Sequence, residues 1–481
     1  MAFIDGTAVN VALPALQTHL GATVAQVQWV VEAYTLFLSA LLLVGGALGD
    51  RFGRRRIYLS GVIGFALASV GCGFAATAGQ LIAARAVQGI AAALLVPGSL
   101  ALLSASFDED RRGRAIGTWS GFSAITAAVG PLLGGWLIDH VSWRWVFFLN
   151  LPLAVAVLVI ALRFVPESRD DQASGTLDFV GALLVTLGLG GLTFGLVESA
   201  HAMLLVGALA LLGFLWVEAR VSNPMMPLSL FRSRKFAGAN LLTLWLYAAL
   251  GGTLFFLPFN LIQVRGYSAT AAGAALLPFV LLMFALSRWS GGLVDRYGAR
   301  RPLILGPAVA AVGFALFAVL SNDGGYWTGL FPAIVVLGLG MSISVAPLTT
   351  TVMGSVDERH SGIASGINNA VSRAAGLLAI AVLGVVMLGL FHRGLEHRMA
   401  KLALPPSARQ AVEDQREKLV RLTIPSSLPG PVQAQVRSAV SEAFLDGFRG
   451  VMIVASGLAL LASVSTWWLI REEPGSTGRA G

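Results

Sequence analysis

Residues 46–56 read Gly-Ala-Leu-Gly-Asp-Arg-Phe-Gly-Arg-Arg-Arg, and residues 291–301 read Gly-Gly-Leu-Val-Asp-Arg-Tyr-Gly-Ala-Arg-Arg. Each stretch closes one long apolar run and opens the next, and the two lie 291 − 46 = 245 residues apart. A second pair has nearly the same spacing. Ser106-Phe-Asp-Glu with Gly113, Ala115 and Gly117 returns as Ser355-Val-Asp-Glu with Gly362, Ala364 and Gly366, 355 − 106 = 249 residues on. Two matches at almost one offset imply a duplicated unit made of apolar segments joined by short polar turns.

Working outward from these turns, the apolar runs fall near 1–18, 28–49, 57–77, 80–104, 115–138, 145–163, 178–198, 202–219, 237–262, 269–290, 303–321, 328–353, 363–391 and 447–470. A bilayer crossing needs about 20 apolar residues as a helix. In hydrocarbon every backbone N–H and C=O must be paired within its own segment, and these runs are too long for barrel strands, so they read as helices. Composition agrees, with 56% of the 481 residues hydrophobic and 12% charged, against about 25% charged in soluble domains. The expected class is an all-α polytopic membrane protein with about 14 transmembrane helices. The repeat divides it into two pseudo-symmetric six-helix bundles, 1–163 and 237–470. Two inserted linker helices occupy 178–219, a long connection 392–446 sits within the second bundle, and 471–481 forms a tail.

Charge places the loops. With the N-terminus inside, the cytoplasmic segments carry 19 Lys and Arg and the short outer loops carry two, Arg144 and Arg265. Positive charge is retained on the cytoplasmic side, so both termini are expected there, in a multi-pass protein of the plasma or bacterial inner membrane. The connection 392–446 holds eight more basic residues on the outer side, but at that length the charge rule weakens. It reads as short helices separated by proline breaks. The first run is short for a crossing and lacks the basic stretch and cleavage site of a signal peptide, so it reads as part of a membrane helix whose start lies upstream.

Other functions fall away on the same grounds. No segment is left over for a catalytic head, and no catalytic residue or cofactor is expected. The single cysteine, Cys72, excludes a disulfide framework, and the six histidines show no metal-ligand spacing. The net charge of +8 is spread over short clusters between apolar runs, which argues for topology rather than for nucleic acid.

At this point the residues resemble the major facilitator superfamily, and within it the fourteen-span drug:proton antiporter branch. Residues 46–56 resemble the family's turn between spans 2 and 3, Arg85-Ala-Val-Gln-Gly89 its span 4 signature, and Gly121 with Gly130-Pro131-Leu-Leu-Gly134-Gly135 its span 5 antiporter signature. Asp5, Thr7, Asn10 and Ala12-Leu13-Pro14 resemble the branch's span 1 motif. The resemblance implies a proton-coupled exporter of amphipathic compounds that works by alternating access, as a monomer, with substrate, protons and lipid as its partners. Two other readings stay open. One is an exporter of a dedicated metabolite such as a siderophore, a lipid precursor or an amino acid. The other is a non-transporting membrane sensor or scaffold.

Candidate residues follow from cost. An ionised side chain in the bilayer costs about 2.5–3.5 kcal/mol on insertion scales, so Asp5, Glu32, Arg85 and Arg373 are functional candidates by default. Asp5, Glu32 and Arg85 are the proton-coupling candidates. Counting residues from helix ends places Arg85 nearer in depth to Glu32 than to Asp5, and both pairings are open. Conformational gating is expected of Gly46, Asp50, Arg51, Gly53, Arg54 and Arg55, of their repeat partners Asp295 and Arg296, and of Gly121, Gly130, Pro131, Gly134 and Gly135, where small residues permit close approach and proline frees a carbonyl. Asp50 is expected to accept hydrogen bonds from helix N-terminal amides or from arginines of a neighbouring helix. A substrate cavity would draw on Asn10, Trp119, Asn240, Tyr247, Asn368, Asn369 and Arg373, with a helix-interface role for Arg373 slightly favoured over cavity lining.

Overall fold

The computed structural model describes residues 1–107, 118, 122, 126, 129–169, 178–320, 325–357, 361–402, 404, 410, 412, 419 and 429–470. Among them there are helices and turns and no strand. In chain order the helices are α1 (Ala2–Leu20), α2 (Val24–Phe52), α3 (Arg54–Phe74) and α4 (Ala78–Ser106). Then come α5 (129–140), α6 (Trp145–Phe164), α7 (Phe179–Val197), α8 (His201–Glu218) and α9 (Arg234–Val264). The chain continues through α10 (Ala269–Gly291), α11 (Arg300–Leu320), α12 (Tyr326–Met353), α13 (Ser361–Met399) and α14 (Gly430–Leu469).

Twelve of these, α2–α4 and α6–α14, are long and apolar enough to cross a membrane. Two expected crossings are not among the twelve. Helix α1 has 19 residues, but Asp5, Asn10, Gln17 and His19 make it too polar to pass as a span on composition. The run 115–138 lies largely outside the described residues, which take it up again at 129.

Turn chemistry sets the helix ends. Thr23 and Gln26 form a reciprocal capping box at the start of α2, and Thr77 accepts from the Gln80 N–H at the start of α4. Gly53, at φ +106°, makes the sharp turn from α2 into α3 that a side chain would strain. The second repeat turns at Gly298, with φ +73°.

The duplicated segments pack alike. Helix α3 lies on α4 as α11 lies on α12, and α2 lies on α4 as α10 lies on α12. Helices α7 and α8 form a hairpin whose contact is tight enough that a Cβ on Gly191 would sit 2.9 Å from Gly207 Cα. Helix α7 rests on α2 and α13. The most apolar stretch of α8 is only 17% buried against 61% for α2, so α2 is central and α8 turns Leu205, Leu209, Leu212 and Trp216 outward to lipid.

The connection 392–446 differs from the expected short helices. Helix α13 runs on to Met399 and α14 already begins at Gly430. Arg398 ties the two extensions together, reaching Glu442 at 3.0 Å and Asp446 at 2.7 Å. The chain there had enough helix-forming residues to continue both membrane helices beyond the apolar runs. The proline-rich middle of the connection lies outside the described residues.

Candidate functional site

Asp5 is fully buried and receives three donors from two other helices. Arg85 Nη1 of α4 approaches its Oδ2 at 2.5 Å, Gln88 Nε2 of α4 donates to Oδ1 at 3.0 Å, and Asn150 Nδ2 of α6 donates to the same oxygen at 2.9 Å. Ser69 of α3 accepts from Gln88 at 2.9 Å and from Asn150 at 3.3 Å. Arg85 also donates from Nε to Val30 O at 3.0 Å, and its guanidinium lies 4.2 Å from the Tyr34 ring centroid. Asp5, Arg85, Gln88, Asn150 and Ser69 are each under 2% exposed. Within a low-dielectric interior such a pair persists only with its remaining donors and acceptors satisfied, and here they are.

Of the two pairings left open, the structure therefore joins Arg85 to Asp5. Counting residues from helix ends assumes that helices begin level and run parallel, and the contact between Arg85 and Asp5 does not follow from that count. Gln88, Asn150, Ser69 and Tyr34 were not singled out from the sequence. Gln88 carries the one signal that was available, since it lies three residues after Arg85 on the same helix face, within the quoted motif.

Glu32 is equally buried, and neither of its oxygens has a hydrogen-bond partner among the described residues. Its helix face is defined by neighbours one turn away. Trp29 donates to Glu198 Oε1 at 3.1 Å beside Phe194, and Leu36 clusters with Leu189 of α7 and Leu377 of α13. Glu32 thus lies on the side of α2 turned to the inserted hairpin and to α13.

Helix α1 carries Asp5 to the edge of its bundle. Gly130 faces Thr7 Oγ1 and Ile4 O, the residues that flank Asp5, and a Cβ on Gly134 would stand 2.9 Å from Ala8 Cβ. On the far side of α5, Gly135 meets Ala269 O, and Gly273 of α10 meets Pro131 O, contacts with no room for a side chain. Asp139, one residue past the expected end of span 5, completes the seam. It accepts from the Ala269 N–H at 3.0 Å, the Thr270 N–H at 2.8 Å and the Thr270 hydroxyl at 2.6 Å, capping α10. Partial burial opposes its ionisation, but the Thr270 and Ala269 hydrogen bonds prevail and hold the carboxyl below its ordinary range. Two further ties join the repeats at this end: Gln263 Nε2 donates to Gln17 Oε1 at 2.9 Å, and Gln28 Nε2 to Ile380 O at 3.1 Å.

The Arg-rich end is built differently. Arg54 donates to Asp50 Oδ1 at 2.8 Å across the Gly53 turn. The anion at the N-terminus of α3 is Glu167, which accepts from Arg55 N at 2.9 Å and Arg56 N at 3.1 Å, while Arg55 Nη1 reaches Val165 O at 2.8 Å. Of the partners expected for Asp50 it has the arginine of the next helix, and Glu167 takes the amides. Arg51 lies over Phe52 and Arg296 over Tyr297. A Cβ on Gly46 would stand 3.7 Å from Pro97 Cβ. Asp295 sits in the equivalent turn of the second repeat.

A cavity of about 400 Å³ opens between the repeats toward this end, lined by Phe3, Thr35, Tyr247, Asn369, Arg373 and Ile380 among others. Phe3 and Thr349 at its mouth are exposed. Tyr247, Asn368, Asn369 and Arg373 line it, and among the described residues the buried Nε of Arg373 has no helix carbonyl or other partner. Asn240 stands behind the wall, where it and Thr243 accept from Asn368 Nδ2 at 3.1 and 2.7 Å. Asn10 lies in α1 away from the lining. Trp119 and Gly121 lie outside the described residues.

These helices, packed in two like sets around an internal cavity and closed at one end, define a polytopic membrane transporter. Residues 1–380 match the Major Facilitator Superfamily, and the chain belongs to it. It is 33% identical to the tetracenomycin C resistance and export protein of Streptomyces glaucescens, over 98% of this chain and 90% of that one. The multidrug resistance protein Stp of Mycobacterium tuberculosis matches equally, at 33% over the same shares. Among solved structures, a bacterial homologue of the human lysosomal transporter Spinster, in an inward-facing and unoccupied conformation, superposes with TM-score 0.67 at 16% identity, covering 98% of this chain and 96% of that one.

Proposed function

We propose that the protein is a secondary active exporter of amphipathic organic compounds, driven by proton influx through alternating access, with the Arg-rich end on the cytoplasmic side. The observation that carries this reading is the continuous path from a buried carboxylate to the seam between the repeats. Asp5 sits between Ile4 and Thr7, these contact Gly130 of α5, and the other face of α5 contacts α10 through Pro131 and Gly135. A change at Asp5 is thereby placed to move the helix that closes the outer end.

The chemistry at Asp5 supports a two-state device. The ionised carboxylate accepts from Arg85, Gln88 and Asn150. A proton on it turns an acceptor into a donor, and the guanidinium opposite has no acceptor to offer, so the network must rearrange. In the conformation described, Asp5 is paired with Arg85, the seam at α5 and α10 is closed and the cavity opens toward the Arg-rich end, which this reading puts in the cytoplasm. This is the arrangement a compound would enter from inside the cell. Protonation from the opposite side after export would then reset the pair. The export and resistance roles named for the relatives favour this reading over a metabolite exporter or a non-transporting sensor. The duplicated halves, 1–163 and 237–470, would be the rocking bodies, with 178–219 inserted between them and the protein acting as a monomer among lipids.

Glu32 is a second coupling site, favoured by one observation: both its oxygens are unbonded, so it can gain or lose a proton without breaking a partner. The test is proton movement in energised inverted vesicles on adding amphipathic compounds. A substrate-dependent collapse of the pH gradient that disappears in Asp5→Asn supports the main reading. A collapse that survives there and disappears in Glu32→Gln moves the coupling to α2. No collapse with any compound, from protein shown to be inserted, refutes proton-coupled export.

A further inference from the structure

We propose that the compound taken by the central cavity carries an oxyanion, a carboxylate being the simplest, and that Arg373 binds it. The proposal rests on the export reading above and adds the substrate class.

Among the described residues the cavity wall contains one formal charge. Among its described lining residues Arg373 is a cation and none is a carboxylate. The two buried acids nearby are unavailable, because Asp5 and Glu32 are both 0% exposed and neither lines the cavity. The ionisable groups beside Arg373 are the phenols of Tyr34 and Tyr247, uncharged at neutral pH.

The buried Arg85 and the half-buried Arg373 differ in what answers their charge. Arg85 has Asp5 at 2.5 Å, Gln88 at 2.7 Å, a backbone carbonyl at 3.0 Å and an aromatic face. Arg373 has no hydrogen-bond or ion-pair partner among the described residues, and its buried Nε is unsatisfied. A guanidinium presents its donors in a planar fork that matches an oxyanion in two bonds, and the low dielectric of a membrane interior strengthens that bond. An unanswered cation lining such a cavity repels a second cation by the same physics.

Part of the wall's other polar surface is already engaged. Thr35 and Thr349 donate to their own helices at Val31 O and Val345 O, and the Asn368 amide nitrogen is held by Asn240 and Thr243. The guanidinium is the one charged group of the described lining and fixes the polar end of a ligand beside the neutral Tyr247, Asn369 and Ser372, while Phe3 and Ile380 offer apolar surface for the rest of it. A volume of about 400 Å³ falls within the usual range for a drug-sized molecule.

The experiment compares three probes on one ring system, 2-naphthoate, its methyl ester and 2-naphthylmethylammonium, binding to the whole protein in lipid nanodiscs by calorimetry. The expected result is at least tenfold tighter binding of naphthoate than of the ester, with the ammonium weakest. Arg373→Gln should abolish the difference while still binding the ester, which shows that it is folded, and Arg373→Lys should keep part of it. Equal binding of all three probes overturns the proposal and leaves the export reading standing. A naphthoate preference that survives Arg373→Gln overturns the role of Arg373. Binding of none of them overturns both the proposal and the cavity as a site for organic compounds.

Discussion

Removing the Asp139 side chain should open the outer end of the protein about fivefold more often. Asp139 belongs to one repeat and the amides it caps belong to the other, so its bonds exist only while the two are closed on that side. Loss of an N-cap acceptor costs about 1 kcal/mol, and a charge at a helix N-terminus adds about 0.3–1 kcal/mol. Asp139 is exposed, and solvent screening brings the sum back to about 1 kcal/mol. That is a factor of about five in the open population, since a tenfold change corresponds to about 1.4 kcal/mol. The assay uses the single cysteine to advantage. In a Cys72→Ala background, Gln17→Cys places a thiol at the closed seam, where the native residue is 3% exposed. Its rate of labelling by a membrane-impermeant reagent applied from outside reports the open fraction. Asp139→Ala should raise that rate about fivefold, and Asp139→Asn, which keeps one acceptor oxygen, by less. The sign with pH follows from the lowered ionisation of Asp139: its contribution is complete above the usual carboxylate value and fades as pH falls through the lower one. The ratio of the two rates should therefore be constant between about pH 5 and 8 and shrink only in stronger acid. Equal rates in Asp139→Ala and its parent would refute the reasoning that this cap holds the seam.

Two further outcomes are expected. Asp5→Ala should lower stability by about 3–5 kcal/mol because it strands the buried Arg85 charge, and adding Arg85→Gln should recover a large part of it; thermal melts in detergent would show this, and a double variant no more stable than the single would contradict the pairing. Glu167→Ala should cost about 1 kcal/mol as the lost N-cap of α3, whereas Arg398→Ala, in an exposed ion-pair cluster, should cost less than about 1 kcal/mol; a reversed order in the same melts would refute the assignment of Glu167 as the cap.

Much of the architecture was legible because a bilayer imposes it. Runs of about 20 apolar residues separated by charged turns leave the helix as the main solution, and the spans read at 178–198 and 202–219 reappear as Phe179–Val197 and His201–Glu218. Length was legible where hydrophobicity sets it and not where it does not. Helices α13 and α14 pass well beyond their apolar runs because outside the lipid a helix needs only capable residues and a few ties, such as Arg398 to Asp446. Helix α1 shows the converse, a helix whose polar residues answer to partners inside the protein.

The site divides along the same line. That Asp5, Glu32, Arg85 and Arg373 matter could be read from the sequence, because a charge in hydrocarbon is costly on any helix. What answers each charge could not. Asp5 and Arg85 lie 80 residues apart, and their meeting, the recruitment of Asn150 from α6, the isolation of Glu32 and the bare guanidinium of Arg373 in the cavity depend on how four or more helices sit side by side. The sequence by itself determined the all-helical, many-span character of the chain and the few residues whose charge demands a reason. Only the tertiary structure decided which of those charges is neutralised within the protein and which stands at the cavity without a partner among the described residues. Hydropathy is a property of one segment in its solvent, whereas neutralisation is a property of the distances between segments.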